Sequence, residues 1–162
     1  MTSVETRRPD PATVVVRDAG PADAPEMARL LASLGYPCEP GVLAARIEAF
    51  RAAGERALVA AVPGRDDALL GVLTLHVTPV LHRAGPVGRL TLLVVDESAR
   101  GRGIGRALVS AGEAWLASRG CVLVEVTSNQ RRTDAHAFYE RLGYAATSLR
   151  FGKTIVPPSV TG

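Results

Sequence analysis

Residues 90–107 read Leu90-Thr91-Leu92-Leu93-Val94-Val95-Asp96-Glu97-Ser98-Ala99-Arg100-Gly101-Arg102-Gly103-Ile104-Gly105-Arg106-Ala107, and this stretch decides the architecture. Leu90–Val95 is an apolar run closed by the acids Asp96 and Glu97, the pattern of a strand. From Arg100 the pattern changes. Glycines at 101, 103 and 105 punctuate a turn that opens a helix, and Ile104, Leu108, Ala111 and Trp115 recur at helical spacing through about Arg119. Cys121–Val126, a short apolar run, follows that helix. Strand, helix, strand implies two parallel strands joined by a crossover.

Upstream, Thr13–Arg17 is short and β-branched and reads as a first strand. A helix starts near Pro21, carries Met27, Leu30, Leu31 and Leu34 at helical spacing, and ends at Gly35. A second helix spans Gly41–Arg51, with Leu43, Ile47 and Phe50 on one face. Ala57–Val62 and Leu69–Thr78 are strands joined by the hairpin signal Pro63–Asp67, and a Pro/Gly-rich loop, Pro79–Gly88, leads to Leu90. Downstream come a helix from about Arg131 to Leu142, stopped by Gly143, and a last strand, Tyr144–Phe151. The order β-α-α-β-β-β-α-β-α-β predicts an α+β fold with flanking helices. Its mixed sheet is largely antiparallel, with one parallel pair. Residues 13–156 form the predicted domain, between a disordered segment 1–12 and a flexible tail 157–162.

The chain of 162 residues is 47% hydrophobic, enough for one globular domain with a core. Met1–Pro11 has no apolar stretch of the kind a secretory signal needs, and no apolar run approaches the roughly 18 residues of a membrane span. Cys38 and Cys121 show no paired spacing, so neither a disulfide framework nor a zinc site is expected, and cytoplasm is the expected compartment. Net charge is +3, and every basic residue except Lys153 is arginine. These are scattered apart from Arg100–Arg106 and Arg131-Arg132, which argues against a nucleic-acid face and leaves a local anion site open.

The glycine turn is where that anion would sit. Glycine lets the backbone turn tightly and approach a ligand, and a helix start presents amide N–H groups without intrahelical partners. With the helix dipole, these make a pyrophosphate site, and Arg100, Arg102 and Arg106 add positive charge. A P-loop would need Gly-Lys-Ser/Thr, and a Rossmann fingerprint would need G-x-G-x-x-G on the first strand of its unit. Here the glycines are spaced G-x-G-x-G, late in the chain. A glycine-rich turn with no ligand is the alternative reading. Asp96 and Glu97 read as solvated residues or helix caps.

A second signature follows: Asn129, then Ala135-His136-Ala137-Phe138-Tyr139-Glu140-Arg141-Leu142-Gly143-Tyr144. Arg100–Gly105 resembles the R/Q-x-x-G-x-G/A acetyl-CoA motif of the GNAT superfamily, and Phe138–Tyr144 is similar to its F-Y-E-K-L-G-F segment. The resemblance covers roughly residues 13–151 and is sharp over 90–144. It implies a sheet splayed between Leu90–Val95 and Cys121–Val126, with acetyl-CoA entering the split. Backbone groups of Leu93, Val94 and Val95 would pair with pantetheine as an added strand would. Amides from Arg100, Gly101, Arg102, Gly103, Ile104, Gly105 and Arg106 would hold the pyrophosphate.

The resemblance further implies an acetyl-CoA-dependent N-acetyltransferase in which Tyr139 protonates the departing thiolate. Tyr139 lies at the edge of the face made by Ala135, Phe138 and Leu142, where a ring with a polar tip can reach a cleft. A boundary tyrosine used only for packing is the alternative. Glu125 interrupts the apolar run Val122–Val126; it is either the base, as in a similar L-E-V segment of the family, or the anchor of an arginine. His82, His136 and water are the other candidates. The family's asparagine, seven residues before the tyrosine, is here Arg132; Asn129 either replaces it as a cofactor contact or caps the helix. The expected acceptor is an amine on a small molecule or a peptide, with no nucleic-acid or membrane partner and with a homodimer left open. A non-catalytic acetyl-CoA sensor or scaffold, and a pure protein-interaction domain, are the competing classes.

Overall fold

The computed structural model describes residues 14–155; the expected disordered segment 1–12 and flexible tail 157–162 lie outside the described residues. The elements are β1 (Val15–Asp18), α1 (Ala24–Ser33), α2 (Pro40–Ala52), β2 (Arg56–Val62), β3 (Arg65–Thr78), β4 (Val87–Val95), α3 (Ile104–Ser118), β5 (Leu123–Val126) and α4 (Thr133–Arg141). The strands lie side by side in sequence order, antiparallel from β1 to β4 and parallel between β4 and β5. This is the α+β architecture with a single crossover that the sequence predicts. No helix among the described residues is long and apolar enough to cross a membrane.

Two of the expectations about strands need correction. The hairpin between β2 and β3 is tighter than the Pro63–Asp67 signal suggests, because β3 already pairs at Arg65. Only Pro63 and Gly64 turn, and Gly64 carries the positive φ of 77° that the second position of a Pro-Gly turn requires. The expected last strand, Tyr144–Phe151, does not form among the described residues. The alternation Ser148-Leu149-Arg150-Phe151 supplies a strand's pattern, but a strand exists only as a member of a ladder, and 144–155 joins none. Leu149, Phe151 and Ile155 are exposed.

The chain divides after Val126 into two compact units, the second starting at Thr127. In the first, α1 and α2 cover one sheet face, where Met27, Leu30, Leu43 and Ile47 pack with Val59, Leu69, Val72 and Val94. Helix α3 covers the other face. Its buried face is the i, i+4 row Ile104, Leu108, Gly112 and Leu116 with Val109 beside it, rather than the expected row through Ala111 and Trp115. The reason is proximity: a Cβ at Gly112 would stand 2.8 Å from Leu73 Cδ2, and one at Gly88 would stand 2.7 Å from Leu116. Glycine on the contact line lets the helix settle on the strands, and Trp115 is displaced to the rim, its ring flanked by Arg56 and Arg119.

A charged anchor fixes the entry to α1. Both guanidinium Nη atoms of Arg17 donate to Asp23 at 2.8 Å, and the amide of Gly20 donates to the same carboxylate at 2.8 Å. Burial alone would raise the Asp23 pKa, but these donors outweigh it and hold the carboxyl below its usual range. The folded state therefore resists protonation that the unfolded chain accepts near pH 4, so this stabilisation is complete above that pH and is lost as pH falls further. Calorimetric melting should show Tm falling on acidification below about pH 4, and Asp23→Asn should melt lower at neutral pH with a shallower acid decline. Leu108 is fully buried on the sheet-facing side of α3, and Leu108→Ala should cost about 2–5 kcal/mol in urea unfolding.

Candidate active site

The parallel ladder between β4 and β5 is short. It runs from Val87 opposite Leu123 to Leu90 opposite Val126, where β5 ends, while β4 continues to Val95. The ladder to β3 shifts register at the same point: Leu92 faces Thr74 and Leu90 faces Leu75, which leaves Thr91 as a bulge. Beyond Leu90 the β4 backbone therefore has no strand on its β5 side among the described residues. Leu93 and Val95 are half-buried there, and Val94 is buried. An open row of amide and carbonyl groups at a sheet split can pair with an extended, amide-bearing arm.

This open edge leads directly into the glycine turn. Asp96 closes β4, its amide bonding Leu70 O at 2.8 Å and its Oδ1 capping the Ser98 amide at 3.0 Å, the helix-cap role expected of it. Arg29 braces it, donating to Asp96 Oδ2 at 2.6 Å, to Glu26 and to Leu69 O. Gly101 and Gly103 then adopt left-handed conformations, with φ of 73° and 78°, so α3 starts at Ile104 rather than at Arg100. A Cβ at Gly103 would meet nothing within 4 Å; the backbone, not crowding, requires glycine. The first intrahelical bond is Ala107 N to Gly103 O at 2.9 Å, which leaves the amides of Ile104, Gly105 and Arg106 pointing out of the helix start. Arg100 and Arg106 are exposed and Arg102 half-buried; none has a carboxylate partner among the described residues. Open space above left-handed glycines, free amides and three guanidinium groups fit a pyrophosphate.

Glu125 lies beside the mouth of the split, its Oε2 accepting from Arg89 Nη2 at 3.1 Å. This contact is an arginine pairing of the kind the sequence offers beside the base role. His76 faces Arg89, and Arg89 faces Glu125, so the three form a row across β3, β4 and β5 on one side of the sheet. The same side carries the hydroxyl pair Thr74–Thr91 at 2.7 Å, and His76 Nδ1 bonds Glu55. The sequence reading missed Glu55, His76 and Arg89. The alternation Thr74-Leu75-His76-Val77-Thr78 was the available signal, since it places polar groups on one face of an otherwise apolar strand. His82 is an exposed turn residue before β4.

In the second unit, Asn129 builds the turn before α4. Its Oδ1 accepts from the Arg131 amide at 2.9 Å, and its carbonyl accepts from the Arg132 amide at 3.0 Å and pairs with His136 Nε2 at 2.9 Å. Its side chain closes that turn without capping α4, whose N-cap is Arg132 with no side-chain bond. The Tyr139 ring meets Phe138 and Tyr144 edge-on, with centroids at 5.2 and 5.7 Å. Burial pushes the Tyr139 hydroxyl above its ordinary pKa against the pull of Arg132, which keeps it a proton donor at neutral pH.

Gly103→Asp tests the turn, because it adds a side chain at positive φ and a negative charge where an anion would sit. Calorimetric titration should show acetyl-CoA affinity falling at least about tenfold, with circular dichroism unchanged. Equal affinity in a folded variant would place the ligand elsewhere.

The sequence model of the acetyltransferase (GNAT) family matches residues 26–144. The chain is 36% identical over 91 residues to aminoalkylphosphonate N-acetyltransferase of Salmonella typhimurium, an alignment covering 56% of this chain and 59% of that protein. It is 29% identical over 132 residues to aminoglycoside N(6')-acetyltransferase type 1 of Stenotrophomonas maltophilia, covering 82% and 86%. A Trypanosoma brucei acetyltransferase structure superposes with a TM-score of 0.76 at 29% identity, covering 88% of this chain and 99% of that one. The chain thus spans about three fifths of the first relative and most of the second. With the split sheet, the glycine turn and the family match over residues 26–144 in agreement, the chain belongs to the acetyltransferase (GNAT) family.

Proposed function

We propose that the protein transfers an acetyl group from acetyl-CoA to a primary amine. One observation carries this reading: an unpaired β4 edge is followed in the chain, after the eight residues 96–103, by a helix start with free amides. The amides of residues 101–106, with Arg100, Arg102 and Arg106, hold the pyrophosphate, and the backbone of Leu93, Val94 and Val95 holds the pantetheine arm. Bound acetyl-CoA supplies a thioester activated toward amines. Tyr139 holds a proton on its hydroxyl for the leaving thiolate, a role supported by the burial that keeps this hydroxyl protonated. The names of the relatives, aminoalkylphosphonate and aminoglycoside acetyltransferases, favour an amine on a small molecule over a peptide amine.

The test is a panel of 2-aminoethylphosphonate, an aminoglycoside, a short alkylamine and a peptide with a free N-terminus, with released thiol as the readout. Transfer to at least one amine is expected. Cofactor binding without transfer to any of them would favour an acetyl-CoA sensor. With the best acceptor, Tyr139→Phe should lower turnover by roughly 10² to 10⁴ and leave acetyl-CoA affinity unchanged. A near-normal rate would assign Tyr139 to packing alone.

A further inference from the structure

We infer that His76, oriented by Glu55, is the group that removes the proton from the incoming ammonium, an inference that rests on the acetyl-transfer reading. Three observations place it. His76 stands on β3 directly opposite Arg89, which in turn faces Glu125 one residue before the β4–β5 ladder ends. Two residues along the same face, Thr74 bonds Thr91, the bulged residue at the split. The imidazole is therefore at the mouth of the opening, with its side chain 44% exposed.

Its chemistry follows from Glu55, whose side chain is only 15% exposed. A carboxylate can only accept, so Nδ1 carries its hydrogen toward Glu55 and Nε2 keeps a lone pair. The second oxygen, Glu55 Oε2, is buried without a hydrogen-bond partner. A largely buried carboxylate is costly unless paired, and His76 is the side chain that pairs with it. The charged groups facing His76 are Glu55 from the α2–β2 connection, Arg89 from β4 and, through Arg89, Glu125 from β5. Arg89 is paired with Glu125, which leaves Glu55 as the carboxylate bonded to the imidazole.

The step balances. One proton of the ammonium passes to His76 Nε2 and from its exposed edge to solvent, leaving a neutral amine. The amine nitrogen forms the C–N bond as the C–S bond breaks. The proton this nitrogen then sheds matches the one the departing thiolate gains, so the products are the N-acetyl amine, the free thiol and one released proton.

The experiment uses the full chain, saturating acetyl-CoA and the best amine of the panel, and compares His76→Gln and Glu55→Gln with the wild type from pH 6 to 10. At neutral pH His76→Gln should lose about 10² in kcat/KM with acetyl-CoA affinity unchanged. The deficit should shrink as pH rises past the pKa of the amine itself, because a free amine needs no base. Glu55→Gln should show a smaller loss with the same recovery, and it decides the matter alone if His76→Gln does not melt cooperatively. A deficit equal at every pH would make the pair structural, and no deficit would make His76 a bystander; either result overturns the inference while acetyl transfer stands. A wild type that binds acetyl-CoA but acetylates no amine overturns both readings.

Discussion

The fold depends on a mismatch in strand length. β4 has nine residues and β5 only four, so their parallel ladder ends at Leu90 and Val126. In water-excluded surroundings an unpaired backbone group is costly, and a sheet normally avoids such an interruption. Here the bulge at Thr91 steers β4 away from its neighbour and leaves the remaining groups open to a ligand that brings its own amides. The split is a consequence of register, and the family's architecture follows from it.

The rest of the first unit supports that opening. Helix α3 must bridge from the end of β4 back to the start of β5 while lying on the sheet, and glycine at positions 71, 88 and 112 removes the side chains that would hold it off. The free amides of Ile104, Gly105 and Arg106 lie beyond the open strand edge, past the short helix Glu97–Ala99 and the glycine turn. Local conformation and packing cooperate: left-handed Gly101 and Gly103 aim the chain, and the buried row Ile104, Leu108, Gly112, Leu116 holds it there.

Much of this was legible in the sequence because it is local. Strand Leu90–Val95, the glycines and the helical stripe announce the crossover within thirty residues of chain. What failed was non-local. The Tyr144–Phe151 run has a strand's alternation but no ladder, and no local pattern specifies a partner. Trp115 read as core from its spacing, yet Gly112 takes the contact and Trp115 moves to the rim with Arg56 and Arg119. Among site residues, the turn was readable. The row His76, Arg89, Glu125 was not, because its members are 13 and 36 positions apart and meet only through strand register. The pairing of Glu125 with Arg89 is a contact that composition could not name, and strand register brings the two together.

Arg29 carries a consequence for how the parts assemble. Its guanidinium joins the first turn of α1, the backbone of β3 at Leu69 and Asp96, the residue that caps the approach to the glycine turn. The brace is thus 67 positions upstream of the cap it supports. The segment from β4 through α3 contains every glycine of the motif, but it is not a module. Transplanted without α1 it would keep the letters of the phosphate signature and lose the strut that sets their posture. The posture of the glycine turn is thus a property of the folded sheet and its first helix together, set by contacts between residues far apart in the chain.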